Sequence, residues 1–197
     1  MKNTPTANQL SGRAIGSIFF AVFGALWIVL ALYAKQRLNL ATLAWAASDF
    51  TVLMVMALWL FRQARRFPRV PDDPAQTKAF NRINAVQWVA VCVTAIAFAR
   101  LHLDAYVMCA ITAIVGLHMF PLARLFRYPL HYVTGSALAG WAAVSASLVP
   151  ADQLQGTCAL GTGILLWLSA FATLTIAATV ARRAGTRNSE RQNTAGI

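Results

Sequence analysis

Acidic residues are scarce in this chain: six Asp and Glu in 197 residues, against 17 Lys and Arg. Charged residues of both signs make up only 12%, about half the share of an ordinary soluble domain. So little charge excludes a soluble fold, because apolar runs of this extent would need an interior that 197 residues cannot enclose. Cysteine is also sparse. Cys92, Cys109 and Cys158 form no CxxC pair and read as small buried residues, with neither a disulfide framework nor a zinc site implied. There is no GxSxG elbow, HExxH helix or Walker loop, and TGSALAG at 134–140 lacks a basic partner for its serine. Enzymatic activity, and membrane hydrolase activity in particular, is not expected. No resident cofactor or metal is expected either.

Long apolar runs dominate. Windows of about 19 residues mark six candidate spans, near 14–34, 40–61, 83–99, 105–122, 130–149 and 158–181. Each could cross a ~30 Å hydrocarbon core. The expected architecture is an all-α polytopic membrane protein, a six-transmembrane-helix bundle. Residues 1–13 form an N-terminal segment, 14–181 a single membrane domain and 182–197 a disordered tail. RLHLD at 100–104 leaves little room for a turn, and a single bent hairpin is the alternative to two spans there. The first apolar run, Ala14 to Tyr33, exceeds the 7–15 residues of a signal-peptide core, and no A-x-A site follows it, so an uncleaved anchor is expected.

The basic residues are distributed unevenly. Lys2, Arg13, Arg62, Arg65, Arg66, Arg69, Lys78, Arg82, Arg124, Arg127, Arg182, Arg183, Arg187 and Arg191 fall on one side of the expected topology. Only Lys35, Arg37 and Arg100 fall on the other. Loops rich in Lys and Arg stay cytoplasmic, so both termini are expected inside. This pattern also accounts for the net charge of +11 without nucleic acid as a partner, since no folded basic face with aromatic partners is evident.

VGLHMFPLARLFRYPLHYVTG, residues 115–135, reads as a cytoplasmic hairpin turn. Pro121 is expected to close one span and Pro129 to open the next. Arg124 and Arg127 supply the inside-positive label, while Tyr128 and Tyr132 suit the interfacial aromatic belt. Small residues mark packing stripes: Gly135, Ala139, Ala143 and Ser147 in the fifth span, Ser17, Ala21 and Ala25 in the first, and GTG at 161–163 in the sixth. Packing within the chain is the expected use of these stripes, with a dimer face as the alternative. Oligomeric state is left open. No internal repeat is visible, although a three-plus-three inverted arrangement is geometrically possible.

Asp49, Asn84, Gln87 and His118 are the candidates to line a solute path. Asp49 lies mid-span, where a carboxyl costs ~2.5–3.5 kcal/mol and is a functional candidate by default. Its structural alternative is a neutral acid bonded to Ser48, Thr51 or a neighbouring helix, and it is expected to point toward amides or hydroxyls of the third or sixth helix. Asn81, Asn84 and Gln87 share a helical face at the start of the third span. They could line a path or serve as interhelical packing bonds. His118 and His131 sit at similar depth on adjacent spans. They could bracket a haem, but they lack the three or four ligands of a metal site; a backbone-bonded or titrating histidine at a vestibule is the other reading. Arg100, His102 and Asp104 read as a solvated outer turn.

VGLHMFPLARLFRYPLHYVTG, with GTGILLWLSA at 161–170, resembles small uncharacterised bacterial inner-membrane proteins. In these a G-L-H-x-x-P-L-A-R-like turn precedes a Y-V-T-G segment. The resemblance is strongest over 110–170. It implies six helices and the bacterial plasma membrane, brings no activity, and draws attention to His118, Pro121, Arg124, Tyr132 and Gly135. The leading expectation is a small transporter, channel-like or solute-binding membrane protein, acting on a small solute, a proton or a cation. A haem or redox protein using His118 and His131 is the second, and a structural or partner-binding subunit the third.

Overall fold

The computed structural model describes the backbone of residues 5–71 and 73–195, and side chains within that range as far as Thr186. Six long helices follow one another: α1 (Ala7–Ala34), α2 (Leu40–Ala64), α3 (Pro74–Arg100), α4 (Val107–Phe126), α5 (Leu130–Leu148) and α6 (Ala151–Ala195). A short 3₁₀ turn, Asp104–Tyr106, precedes α4. No strand occurs among the described residues. This is an all-α bundle and a multi-pass membrane protein.

Polar side chains set the starts of three helices. Thr6 and Asn39 form reciprocal capping boxes with Gln9 and Thr42. Asp73 caps α3 by accepting from the Ala75 amide, with Pro74 in the first helical position, where its missing N–H costs nothing. These caps lengthen the expected spans. α1 and α3 begin seven and nine residues before the apolar runs that announce them, because capping and propensity carry a helix beyond the lipid-soluble stretch.

Three helices end in the same way, and none uses glycine. Gln36, His102 and Arg127 have φ of 51°, 54° and 50°. The next amide in each case reaches back five residues: Arg37 to the Leu32 carbonyl (2.8 Å), Leu103 to Phe98 (2.9 Å) and Tyr128 to Ala123 (3.0 Å). This is the Schellman arrangement, with a strained L-residue in the left-handed position. Gln36→Gly and His102→Gly are therefore expected to stabilise the fold, each by about 0.5–1 kcal/mol after the entropic cost of glycine. Thermal melting in detergent checks this, and a lower melting temperature in both variants would refute it.

Pro121 does not close its helix. It lies inside α4, which runs on to Phe126, because the stop is made at Arg127, and membrane helices tolerate proline when neighbours take up the freed groups. Pro129 immediately precedes α5. At the other end of the chain α6 is continuous to Ala195, so the backbone of 182–195 is helical where the sequence suggests a disordered tail.

Five of the helical segments are long and apolar enough to cross a membrane. The exception is α5, at 19 residues. It spans about 28 Å, but its small and hydroxyl-bearing residues lower its hydropathy. Its buried face is Thr134, Gly135, Leu138, Ala142 and Ser145. It packs between α4 and α6.

The core is the antiparallel pair α1 and α6, with α2 against both and α4–α5 on the opposite flank. Helix α3 packs on α4 and contributes no buried residue. Two close crossings hold the bundle. At the α4–α5 crossing a Cβ on Gly116 would lie 2.8 Å from the Gly135 carbonyl oxygen, and one on Gly135 would lie 2.6 Å from that of Gly116. At the α1–α6 crossing a Cβ on Gly163 would lie 2.9 Å from the Gly24 oxygen. Beside it Trp167 fills the notch over Gly24, and its Nε1 donates to the Ala21 carbonyl at 3.0 Å.

The small-residue stripes are only partly realised. Gly135 is buried and Ala139 partly so, whereas Ala143 and Ser147 are exposed. A row repeated every four residues drifts by about 40° per step around a helix of 3.6 residues per turn. The buried row accordingly shifts to Leu138, Ala142 and Ser145. The same drift moves the α1 row from Ser17 and Ala21 to Gly24, Ile28 and Ala31. Hydroxyls bridge helices inside this packing: Thr112 with Thr162 (2.8 Å) and Thr134 to Ser169 (2.9 Å). Cys109 and Cys158 are buried in one cluster, but Cys92 is exposed. It lies on α3, which has only α4 behind it, so most of that helix faces outward.

Candidate functional site

The residues with the strongest claim gather where α1, α3, α4 and α5 meet, at the end of the bundle that carries most of the basic groups. Nε2 of His118 on α4 lies 3.2 Å from Oδ1 of Asn84 on α3. His131, in the first turn of α5, is surrounded by aromatic rings: Tyr128 at 5.1 Å, Phe20 of α1 at 6.0 Å and Phe126 at 6.5 Å. The Arg13 guanidinium lies 5.0 Å over the Tyr128 ring. Helix α1 thus offers Arg13, Ser17 and Phe20, spaced by four and three residues and so on one face, to the turn between α4 and α5.

Unpaired polar atoms concentrate at this level. Among the described residues, Ser17 Oγ, His118 Nδ1, Tyr128 Oη, His131 Nδ1, Ser145 Oγ and Thr173 Oγ1 are buried without a hydrogen-bond partner. Ser17, His118, Tyr128 and His131 belong to the helices and turn just described. Thr173 joins them by register. The Thr134–Ser169 bond aligns antiparallel α5 with α6, and one turn onward from it lie His131 on α5 and Thr173 on α6. Each unsatisfied buried group costs about 1–3 kcal/mol, so this polar cluster, called the chamber below, marks the level of the bundle at which a bound water or solute would gain hydrogen bonds.

The other candidates are placed as follows. Gln87 is partly buried one turn beyond Asn84. Arg124 and Tyr132 are exposed and line a groove beside the chamber. Arg127 is the exposed left-handed residue that ends α4. Asp49 stands apart. It is partly buried on α2, on the side of Ala46 and Leu53, and α2 packs on α1 and α6. It makes no side-chain hydrogen bond among the described residues. The hydroxyls beside it in sequence turn back onto their own helix, Ser48 to the Trp45 carbonyl (2.8 Å) and Thr51 to Ala47 (2.7 Å). The bond expected from Asp49 to the third or sixth helix is therefore not formed, and Asp49 does not share the chamber of His118.

His118 and His131 are a poor haem or metal pair. His118 uses Nε2 on Asn84, and aromatic rings hold the space around His131. Among the described residues, no three His, Cys, Asp or Glu side chains form a group that could hold a metal ion. Phe20 is the chamber residue with no signal in the sequence, and Thr173 reads there only as one of the packing hydroxyls of the sixth span, with Ser169 and Thr179. An apolar ring and a helix hydroxyl look like ordinary packing until a partner helix is placed against them. The spacing of Arg13, Ser17 and Phe20 is the one signal that could have pointed to the α1 face. Comparison with family models, with curated proteins and with solved structures yields no match.

Proposed function

We propose that this membrane protein is a small solute-binding or transport protein of the bacterial inner membrane. Both termini are cytoplasmic in this reading, and the solute site is the chamber at the cytoplasmic end of α1, α3, α4 and α5. The observation that carries it is the gathering of buried polar atoms without protein partners around His118 and His131. The chamber groups are two imidazoles, an amide, a phenol and two hydroxyls, with Arg13 at the edge and no carboxylate among them. That chemistry suits a small neutral or anionic solute better than a cation. Asn84 and His118 orient it, and Tyr128 and His131 bond to its far side. The excess of Lys and Arg on the side of both termini supports the orientation.

Proteoliposome flux tests this. Vesicles containing the protein are expected to take up at least one of glycerol, urea, acetate or phosphate faster than protein-free vesicles. Asn84→Ala and His131→Phe should each cut that rate about tenfold while leaving the melting temperature within a few degrees. Rates for all four solutes equal to those of protein-free vesicles would remove the reading.

A further inference from the structure

A second site is separate from the chamber. Ile83 of α3, Phe120, Pro121, Arg124 and Leu125 of α4, and Tyr132 of α5 line a groove of about 690 Å³. Its chemistry is graded. Arg124 lies in the last turn of α4, where the apolar run gives way to the headgroup level. Phe120 and Tyr132, with ring centroids 5.9 Å apart, lie about a turn deeper with Ile83. Pro121 and Arg124 are exposed, so the groove opens on the outer surface of the bundle. Arg124 has no acidic partner among the described residues, and no Asp or Glu occurs between Asp104 and Asp152 to supply one nearby in sequence.

We infer that this groove binds an anionic phospholipid. Arg124 pairs with the headgroup phosphate, the Tyr132 hydroxyl adds a hydrogen bond, and Ile83, Phe120 and Leu125 hold the upper part of an acyl chain. A guanidinium is suited to phosphate because its planar donors match two oxygens at once. Basic pockets between membrane helices recognise lipid headgroups in this way. The apolar walls select a lipid over a free phosphate ion, which would gain nothing from them. The other exposed arginine of the turn, Arg127, lacks such walls and serves as the comparison.

Native mass spectrometry of the detergent-purified protein tests the assignment, with phosphatidylglycerol, phosphatidylcholine and inorganic phosphate as probes. One phosphatidylglycerol per chain is expected, bound at least tenfold more tightly than phosphatidylcholine and not displaced by equimolar inorganic phosphate. Arg124→Gln should bring phosphatidylglycerol down to the level of phosphatidylcholine, and Arg127→Gln should leave it bound. Ile83→Trp, which fills the groove and keeps the charge, should also release the lipid from a protein that still elutes as a single folded species. Equal retention of both lipids by the unmodified protein would overturn the site. So would equal losses in the two arginine variants, which would mean diffuse charge attraction, or displacement by phosphate, which would mean a simple anion site.

Discussion

Replacing Gly116 or Gly135 with valine is expected to abolish the folded bundle. Each glycine faces backbone of the other helix, with prospective Cβ contacts of 2.8 Å and 2.6 Å to the opposing carbonyl oxygens. Backbone cannot swing aside as a side-chain end can, so α4 and α5 would have to separate. That separation would loosen the contacts made by Leu138, Thr134 and Met119, all of them buried. Overpacking in a well-packed interior costs about 1–3 kcal/mol, and more where backbone is the obstacle. Association of membrane helices rests largely on this close packing, since apolar surface gains little by leaving lipid. Gly140, also on α5, is the control. A Cβ there meets nothing within 4 Å, so Gly140→Ala should be neutral or stabilise by about 1 kcal/mol through helix propensity. Fluorescence-detected size exclusion and melting in detergent read both outcomes. A folded Gly135→Val protein melting near the unmodified temperature would show that the crossing is not what holds α4 to α5.

The second large effect is all-or-none. With the three native cysteines replaced by alanine, Gln153→Cys should react with a membrane-impermeant maleimide in intact cells. Asn193→Cys should react only after permeabilisation. The basis is the expected placement of fourteen of the seventeen Lys and Arg on the side of both termini, since loops rich in Lys and Arg are the ones that stay in the cytoplasm. The geometry is compatible with this division. The Lys35–Thr157 and Asp104–Gln155 hydrogen bonds tie together the end that holds few basic residues. The Ala7–Pro68 and Leu125–Gln76 bonds tie together the other. Labelling of both positions in intact cells, or of Asn193 alone, would reverse or remove the orientation and move the proposed chamber to the outer face.

The candidate site was legible only in fragments. His118, His131 and Asn84 stand out in sequence because imidazoles and amides are uncommon inside apolar helices. Their grouping did not, since Asn84 meets His118 across 34 residues of chain and Phe20 meets His131 across a longer separation still. Asp49 illustrates the opposite error. Its depth makes it the most conspicuous residue in the sequence, yet conspicuousness is a property of one helix and says nothing about what the neighbouring helix offers. α2 turned out to lean on α1 and α6, away from the polar face of α3.

By itself the sequence determined that this is an all-helical membrane protein, and roughly where each helix lies. A helix satisfies its own backbone hydrogen bonds, so in an apolar medium its existence depends on local composition alone. It also determined the uneven distribution of basic charge, a property of the loops one by one. The tertiary structure decided everything that depends on register between helices. It set the rotation that carries the small-residue rows off their four-residue spacing, and the Gly116–Gly135 and Gly24–Gly163 crossings. It also brought Arg13 and Phe20 to Tyr128 and His131 at the α4–α5 turn and left α3 without a buried residue. Contacts of that kind follow from how closely two backbones can approach, and no single helix carries that information.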